Sequence, residues 1–179
     1  MEINITTLKD TSQLEDFFCG VKAFDDFIHS DTFSQSVRNY FCTPYKVTMG
    51  KKIIAFFALS CSSLILDSDS KDDYFSYDKF DIPAEYKEFL KGRNHYPAIE
   101  IAFFAVSKEY RGKQIGRSLL TKIETMAKEF DFAGCQFLTL DAYCTNEYSS
   151  ADFYYKCGFK MCDFQKPNSD TIPLFKPLL

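Results

Sequence analysis

The stretch at residues 107–117 combines basic side chains with two glycines. It reads SKEYRGKQIGR and places Arg111, Lys113 and Arg117 around Gly112 and Gly116. Phosphate oxygens accept hydrogen bonds from such side chains, and a glycine lets a ligand approach the backbone closely. This pattern favours the binding of a phosphate-bearing ligand. A short motif of this kind is also found in ordinary basic turns, which is the alternative interpretation.

The elements on either side of this loop would position it. Residues 99–106 form an apolar run rich in β-branched and aromatic side chains, which is typical of a buried strand. From Ile115 to Phe130, apolar residues recur every three or four positions, which predicts a helix. The first turn of a helix has backbone N–H groups without partners and carries partial positive charge. Strand, loop and helix together therefore predict an anion site.

Two segments resemble the GNAT superfamily of N-acetyltransferases. Residues 106–120, VSKEYRGKQIGRSLL, resemble its acetyl-CoA-binding motif, Arg/Gln-x-x-Gly-x-Gly/Ala, and FYYKCGF at 153–159 resembles its later Phe-Tyr-x-x-x-Gly-Phe signature. One departure is Gln114, which stands where the motif has its first glycine, so that its side chain must turn away from the pyrophosphate. The resemblance covers nearly the whole chain and implies transfer of an acetyl group from acetyl-CoA to a primary amine.

The resemblance also implies roles for individual residues. Backbone groups near Phe104 would hold the thioester carbonyl, because two parallel strands splay apart there, and donors aimed at a developing oxyanion stabilise it. Tyr154 matches a family tyrosine near the thiol sulfur and would protonate the leaving thiolate; a tyrosine packed in the core is the alternative. The residues implied to contact the cofactor are Phe104, Ala105, Val106, Arg111, Gly112, Lys113, Gln114, Ile115, Gly116, Arg117 and Asn146.

Glu100 is the candidate general base for the incoming amine. Alternation along the strand places it on the same face as Ala102 and Phe104. An apolar environment there would favour the protonated carboxyl and make its carboxylate a better proton acceptor. A structural carboxylate paired with a lysine or arginine is an equal alternative.

Composition and charge set limits on the function. The chain has 179 residues, 46% of them hydrophobic and 26% charged, which suits a single domain spanning residues 1–179. The net charge of -4 argues against a nucleic-acid-binding protein. Seven cysteines and two histidines show no zinc-site spacing, so we expect no metal and a reducing compartment. With no predicted leader or membrane span, we expect a cytoplasmic protein.

The expected fold class is α/β of the α+β type. It comprises a mixed, mainly antiparallel twisted sheet of about six to seven strands with helices on both faces. Residues 137–143 read as a strand that follows the central helix, which predicts a parallel β-α-β crossover. We also expect strands at 3–8, 45–49 and 53–66, a helix near 83–92 and a closing hairpin at 159–176.

The sequence is compatible with several classes of acceptor for the acetyl group. The opening FFCGVKAFDDFI at 17–28 resembles a GNAT branch that includes toxins acetylating aminoacyl-tRNA. We take this resemblance as evidence of lineage only, because a helical layer covering the sheet explains the same residues. The excess of acidic over basic residues argues against tRNA as the acceptor, without excluding it. An amine-bearing small molecule, a protein or a peptide would suit the acidic segment at 67–81. A degenerate domain that only binds CoA is the remaining alternative, and we expect a monomer or homodimer without membrane contact.

Overall fold

The computed structural model describes residues 3–66, 83–162 and 170–178. These ranges hold seven strands and five α-helices. The strands are β1 (Ile3–Thr7), β2 (Thr43–Met49), β3 (Lys52–Ile65), β4 (His95–Val106), β5 (Phe137–Tyr143), β6 (Lys160–Met161) and β7 (Thr171–Pro177). The helices are α1 (Lys22–Ile28), α2 (Asp31–Arg38), α3 (Ala84–Lys91), α4 (Ile115–Lys128) and α5 (Ala151–Tyr155).

The strands form one mixed sheet in the order β1-β2-β3-β4-β5-β7-β6. β4 and β5 pair in parallel, and α4 connects them along the chain. The recorded pairs β1–β2, β2–β3, β5–β7 and β6–β7 are all antiparallel. The predicted fold class is therefore confirmed, including its parallel crossover.

Contacts divide the chain into two compact units. The first unit comprises Met1–Ser60 and Ile101–Lys122, and the second comprises Cys61–Glu100 and Ile123–Leu179.

The first unit has an aromatic core. Phe33 is fully buried, and its ring meets Phe56 edge to face at 5.5 Å between centroids. Phe103, on β4, lies 5.8 Å from Phe33 and stacks on Phe27 of α1 at 4.8 Å. Such pairs contribute about 0.5–1.5 kcal/mol beyond the area they bury. This core ties α1 and α2 to the strand that leads into the basic loop.

The second unit packs its core around Tyr96. The ring is fully buried and meets Phe137 edge to face at 5.5 Å. Its hydroxyl lies 2.6 Å from both the Leu90 and Arg93 carbonyl oxygens and donates to them. These bonds tie the carboxyl end of α3 to β4, which begins at His95 rather than at residue 99 as predicted.

Most predicted elements occur close to their expected positions. The β2–β3 hairpin turns at Gly50, whose φ of 62° suits glycine. α4 ends at Lys128, before the predicted Phe130, whose side chain is exposed. The acidic segment at 67–81 lies outside the described residues. Among the described helices, none combines the length and apolar character that a membrane crossing requires.

Candidate functional site

The basic loop of the first unit is anchored at its beginning. It leaves β4 at Ser107, whose side chain is only 8% exposed and whose N–H donates to the Ile54 carbonyl at 2.9 Å. The next N–H, that of Lys108, donates to the Phe18 carbonyl at 3.2 Å. A 3-10 turn at Lys108–Tyr110 follows. The loop therefore starts from a fixed position, which a binding site needs.

In the three residues before α4, the backbone alternates between left-handed and other conformations. Gly112 has φ 75° and Gln114 has φ 61°, whereas Lys113 between them is not left-handed. Such alternation turns successive N–H groups towards one concave side, which binds anions. The Gln114 carbonyl accepts the Ser118 N–H at 3.1 Å, so Gln114 is the N-cap residue of α4. The loop thus has the backbone of an anion site, with glutamine where glycine is usual.

The side chains around this loop make it basic. Arg111, Lys113 and Arg117 are all exposed. The Lys113 ammonium lies over the Tyr110 ring at 4.9 Å from its centroid. Glu109, which pairs with Lys52 at 2.5 Å, has its pKa lowered by that hydrogen bond. Arg111, Lys113, Arg117 and Lys52 are positively charged and Glu109 is negatively charged. The net charge around residues 111–117 is therefore positive, which suits the pyrophosphate of acetyl-CoA. The individual cofactor contacts predicted above stay predictions.

Glu100 lines a cavity of about 440 Å³ in the second unit. It is half-buried and pairs in register with Thr139, the last of the recorded β4–β5 pairs. Polar residues of the wall include Ser62 and Asp141, and apolar ones include Leu64 and Leu174. The surroundings of Glu100 are therefore mixed rather than purely apolar.

The Thr139 hydroxyl is a distinctive feature of this cavity. Its Oγ1 is buried, and no hydrogen-bond partner for it is found among the described residues; the residue belongs to the cavity wall. A buried hydroxyl that bonds nothing carries a desolvation penalty.

Beyond the Glu100–Thr139 pair, both strands of the parallel ladder continue. β4 runs on to Val106 and β5 to Tyr143, while β5 keeps its antiparallel partner β7. The register of β4 with β5 comprises Ala98–Glu100 and Phe137–Thr139, and the predicted splaying of the strands near Phe104, Ala105 and Val106 stays a prediction. That these backbone groups hold a thioester stays a prediction.

Tyr154 is enclosed by aromatic rings of the second unit. It is 7% exposed, and its ring lies 5.1 Å from Phe153 and 5.7 Å from Phe159. Burial raises the pKa of its hydroxyl well above the usual value, with the charges of Tyr148 and Cys157 acting in the same direction. A tyrosine of ordinary pKa is also protonated at neutral pH, so the assignment of Tyr154 as proton donor stays a prediction beside the alternative of a tyrosine packed in the core.

Asn146 lies in an exposed turn that follows β5. Cys144 and Ser149 form an isolated bridge across this turn, and the Thr145 N–H donates to the Tyr148 carbonyl at 2.8 Å. The predicted cofactor contact of Asn146 stays a prediction. Within residues 3–66, 83–162 and 170–178, no group of three or more His, Cys, Asp or Glu residues could hold a metal ion.

The sequence between residues 36 and 159 matches the family model described as acetyltransferase (GNAT) family. The chain belongs to this family. It is an acetyl-CoA-dependent N-acetyltransferase, as predicted, and acetyl-CoA is its co-substrate. No curated protein sequence matches the chain.

Solved structures of similar fold include several GNAT proteins. A tyrosine-to-phenylalanine mutant of KacT is 16% identical, with TM-score 0.70, covering 99% of this chain and 96% of that one. AtaT complexed with acetyl-methionyl-tRNAfMet is 18% identical, with TM-score 0.68, covering 98% and 95%. AtaTR bound with AcCoA is 18% identical, with TM-score 0.67, covering 99% and 94%. At these identities the likeness concerns the fold.

Three residues of this GNAT chain were not among the sequence-based candidates. Thr139 and Asp141 line the Glu100 cavity, and the alternation of β5 could have placed both on one face. The Asp25 carboxylate accepts hydrogen bonds from the backbone N–H groups of Cys19 and Gly20. These residues follow Phe18, whose carbonyl accepts the Lys108 N–H. Asp25 lies within the quoted opening at 17–28, but nothing in the spacing connects it to residue 108.

Proposed function

We propose that this acetyltransferase moves the acetyl group from acetyl-CoA directly to a primary amine, with Tyr154 as the proton donor. The observation that carries the proposal is the match of residues 36–159 to the GNAT family model, and Tyr154 is assigned as the donor because its enclosed phenol lies in the FYYKCGF segment at 153–159. The loop at residues 111–117 would hold the phosphates of acetyl-CoA. No covalent acyl-enzyme is needed.

The proposed reaction balances without another reactant. Glu100 takes the proton of the acceptor ammonium and passes it to water, which leaves a neutral amine. The amine nitrogen attacks the thioester carbon, so that a C–N bond forms and the C–S bond breaks. Tyr154 donates its proton to the departing sulfur, and the phenolate then regains a proton from the acetylated nitrogen. Backbone donors of residues 104–106 would stabilise the oxyanion.

The residues that line the cavity beside Glu100 suit an acceptor that carries both an amine and an apolar group. Glu100 and Asp141 favour a cationic amine. Ile65, which lines the same cavity and is 52% exposed, offers an apolar surface to the group that carries that amine. A volume of about 440 Å³ is in the range of small-ligand sites. An amino acid with an apolar side chain has both parts.

Aminoacyl-tRNA is the second candidate for the acceptor. One fold neighbour is AtaT in complex with acetyl-methionyl-tRNAfMet. The charge of this chain is also uneven, because the first unit has 11 Lys and Arg against eight Asp and Glu, whereas the second has 10 against 17. A net charge of -4 therefore conceals a basic portion that can attract a polyanion.

The test compares Tyr154→Phe with Tyr155→Phe, a half-exposed neighbour on the same helix. Acceptors are methionyl-tRNA, spermidine and a short peptide, each with radiolabelled acetyl-CoA. Loss of a general acid lowers turnover by about 10²–10⁴-fold, and we expect this for Tyr154→Phe with acetyl-CoA affinity within about twofold of wild type. Tyr155→Phe should retain turnover. Equal loss of affinity and turnover in Tyr154→Phe would contradict the assignment, and binding without transfer would favour a degenerate CoA-binding domain.

A further inference from the structure

The carboxylate of Asp25 joins two consecutive backbone amides. Its Oδ1 accepts the N–H of Cys19 at 2.7 Å, and its Oδ2 accepts the N–H of Gly20 at 2.9 Å. Asp25 lies one turn inside α1, so the carboxylate also lies near the positive end of that helix. Hydrogen bonds to an ionised acceptor are about twice as strong as neutral ones. Asp25 therefore fixes the chain immediately before α1.

The segment fixed in this way contacts the beginning of the basic loop. The Phe18 carbonyl accepts the Lys108 N–H at 3.2 Å. Gly20 has φ 81°, and a Cβ added there would lie 3.0 Å from Cδ of Lys108. The residue between them, Cys19, is 2% exposed. Residues 18–20 thus form a support for the beginning of the loop at Lys108.

The loop needs such a support because its own contacts are weak. The Lys52–Glu109 ion pair is exposed on both sides, and exposed pairs contribute little. Gln114 holds a left-handed conformation that is costly for a non-glycine residue. Strained conformations persist only where the surrounding structure holds them.

We propose that Asp25 is a positioning residue for the acetyl-CoA phosphate loop. It orders residues 18–20, which hold Lys108, and so keeps Arg111–Gln114 in the conformation that presents its N–H groups to phosphate. This inference rests on the proposed function, because it takes the loop to bind the cofactor. It adds a role for the segment before α1. From the sequence alone, that segment indicated either a relation to the toxin branch of the family or a helical layer that covers the sheet.

Asp26 provides a matched control. It follows Asp25 on α1, is exposed, and pairs with Lys22 on the same helix at 2.6 Å. Replacing either aspartate by alanine removes one negative charge and one carboxylate from the same helix. Only Asp25→Ala removes the two bonds to residues 19 and 20. A difference in acetyl-CoA affinity between the two variants therefore measures the loss of the hydrogen bonds to Cys19 and Gly20, and not the loss of one negative charge.

The experiment measures binding of acetyl-CoA and of S-acetylpantetheine, which lacks the phosphates, to folded protein well below its Tm. We expect Asp25→Ala to raise the acetyl-CoA Kd by roughly tenfold, the size of effect seen when a residue supporting a binding group is removed. Binding of S-acetylpantetheine should change less than twofold. Asp26→Ala should match wild type with both ligands. Asp25→Asn keeps one acceptor oxygen and should give an intermediate Kd.

Two results would overturn the inference. One is an acetyl-CoA Kd for Asp25→Ala within twofold of that for Asp26→Ala. The other is equal weakening of both ligands, which would indicate general loosening rather than an effect on the phosphate loop. Failure of wild type to bind acetyl-CoA is a different outcome, because it would contradict the proposed function itself.

Gly20→Ala gives a second route to the same contact. The new methyl group would press on the Lys108 side chain and strain the backbone at φ 81°. We expect a weaker affinity for acetyl-CoA, and Lys108→Ala in the same chain should restore part of it by removing the Cδ and Cγ atoms that the methyl meets. If Lys108→Ala restores nothing, the support does not act through residue 108.

Discussion

Gln114→Gly should stabilise the protein, because Gln114 has the backbone of a glycine. Its φ is 61°, and its side chain is exposed. A non-glycine residue in the left-handed region costs about 1–2 kcal/mol. Glycine removes that strain, but it gives the unfolded chain about 0.4–1 kcal/mol more conformational freedom. The two ranges predict a gain of about 0–1.6 kcal/mol, with a midpoint of about 0.8 kcal/mol, in the free energy of unfolding.

Gly112→Ala is the reverse change in the same loop. Gly112 has φ 75°, and none of the described residues lies within 4 Å of a Cβ added there, so the substitution tests backbone strain. The same two ranges predict a loss of about 0–1.6 kcal/mol in the free energy of unfolding, with a midpoint of about 0.8 kcal/mol. Gly92→Ala serves as the control, because its added Cβ is equally unobstructed and Gly92 has an ordinary φ of -74°. That variant should be neutral or slightly stabilised.

Urea unfolding followed by circular dichroism measures all three variants against wild type. A change of 1 kcal/mol moves the Tm of a chain of this size by about 2–4 °C, which a thermal scan also resolves. The reasoning is refuted if Gln114→Gly lowers stability, or if Gly112→Ala and Gly92→Ala behave alike. Either result would mean that left-handed strain does not govern this loop.

Three further predictions concern the interior. Tyr154 has a folded-state pKa above its unfolded value near 10, so its contribution to stability is complete below about pH 10 and is lost as the pH rises further; alkaline unfolding should begin at lower pH in wild type than in Tyr154→Phe. Burial raises the pKa of Cys19 to about 11, so native iodoacetamide labelling at pH 8, mapped by mass spectrometry, should modify the exposed Cys61 well before Cys19. Tyr96→Phe removes the bonds to the Leu90 and Arg93 carbonyls and should lower the unfolding free energy by about 1–2 kcal/mol; no change in urea midpoint would contradict the assigned bonds.

Local patterns predicted most of the elements because each has its own signal. Alternation and apolar runs located β3 and β5, and helical periodicity located α4, within a few residues of their observed ends. The parallel pairing of β4 with β5 followed from strand, helix and strand in succession.

The parts that sequence could not supply are long-range contacts. Asp25 is 83 positions before Lys108 in the numbering, and the two are connected only through the backbone of residues 18–20. Likewise, the Thr139 hydroxyl finds no hydrogen-bond partner in the described part of the chain, and this is a property of its surroundings, not of the residue type. The motif at 106–120 identified the loop, but the left-handed conformation of Gln114 appears only in three dimensions.

The most direct test of the account is a single-turnover assay with radiolabelled acetyl-CoA and a panel of amines that includes methionyl-tRNA, spermidine and a peptide. The account predicts that label appears on the nitrogen of one acceptor class at the rate at which acetyl-CoA is consumed, with no label on the protein when the acceptor is omitted. Label retained on the protein before it reaches the amine would contradict direct transfer. Tight acetyl-CoA binding with no transfer to any primary amine would contradict the proposed function.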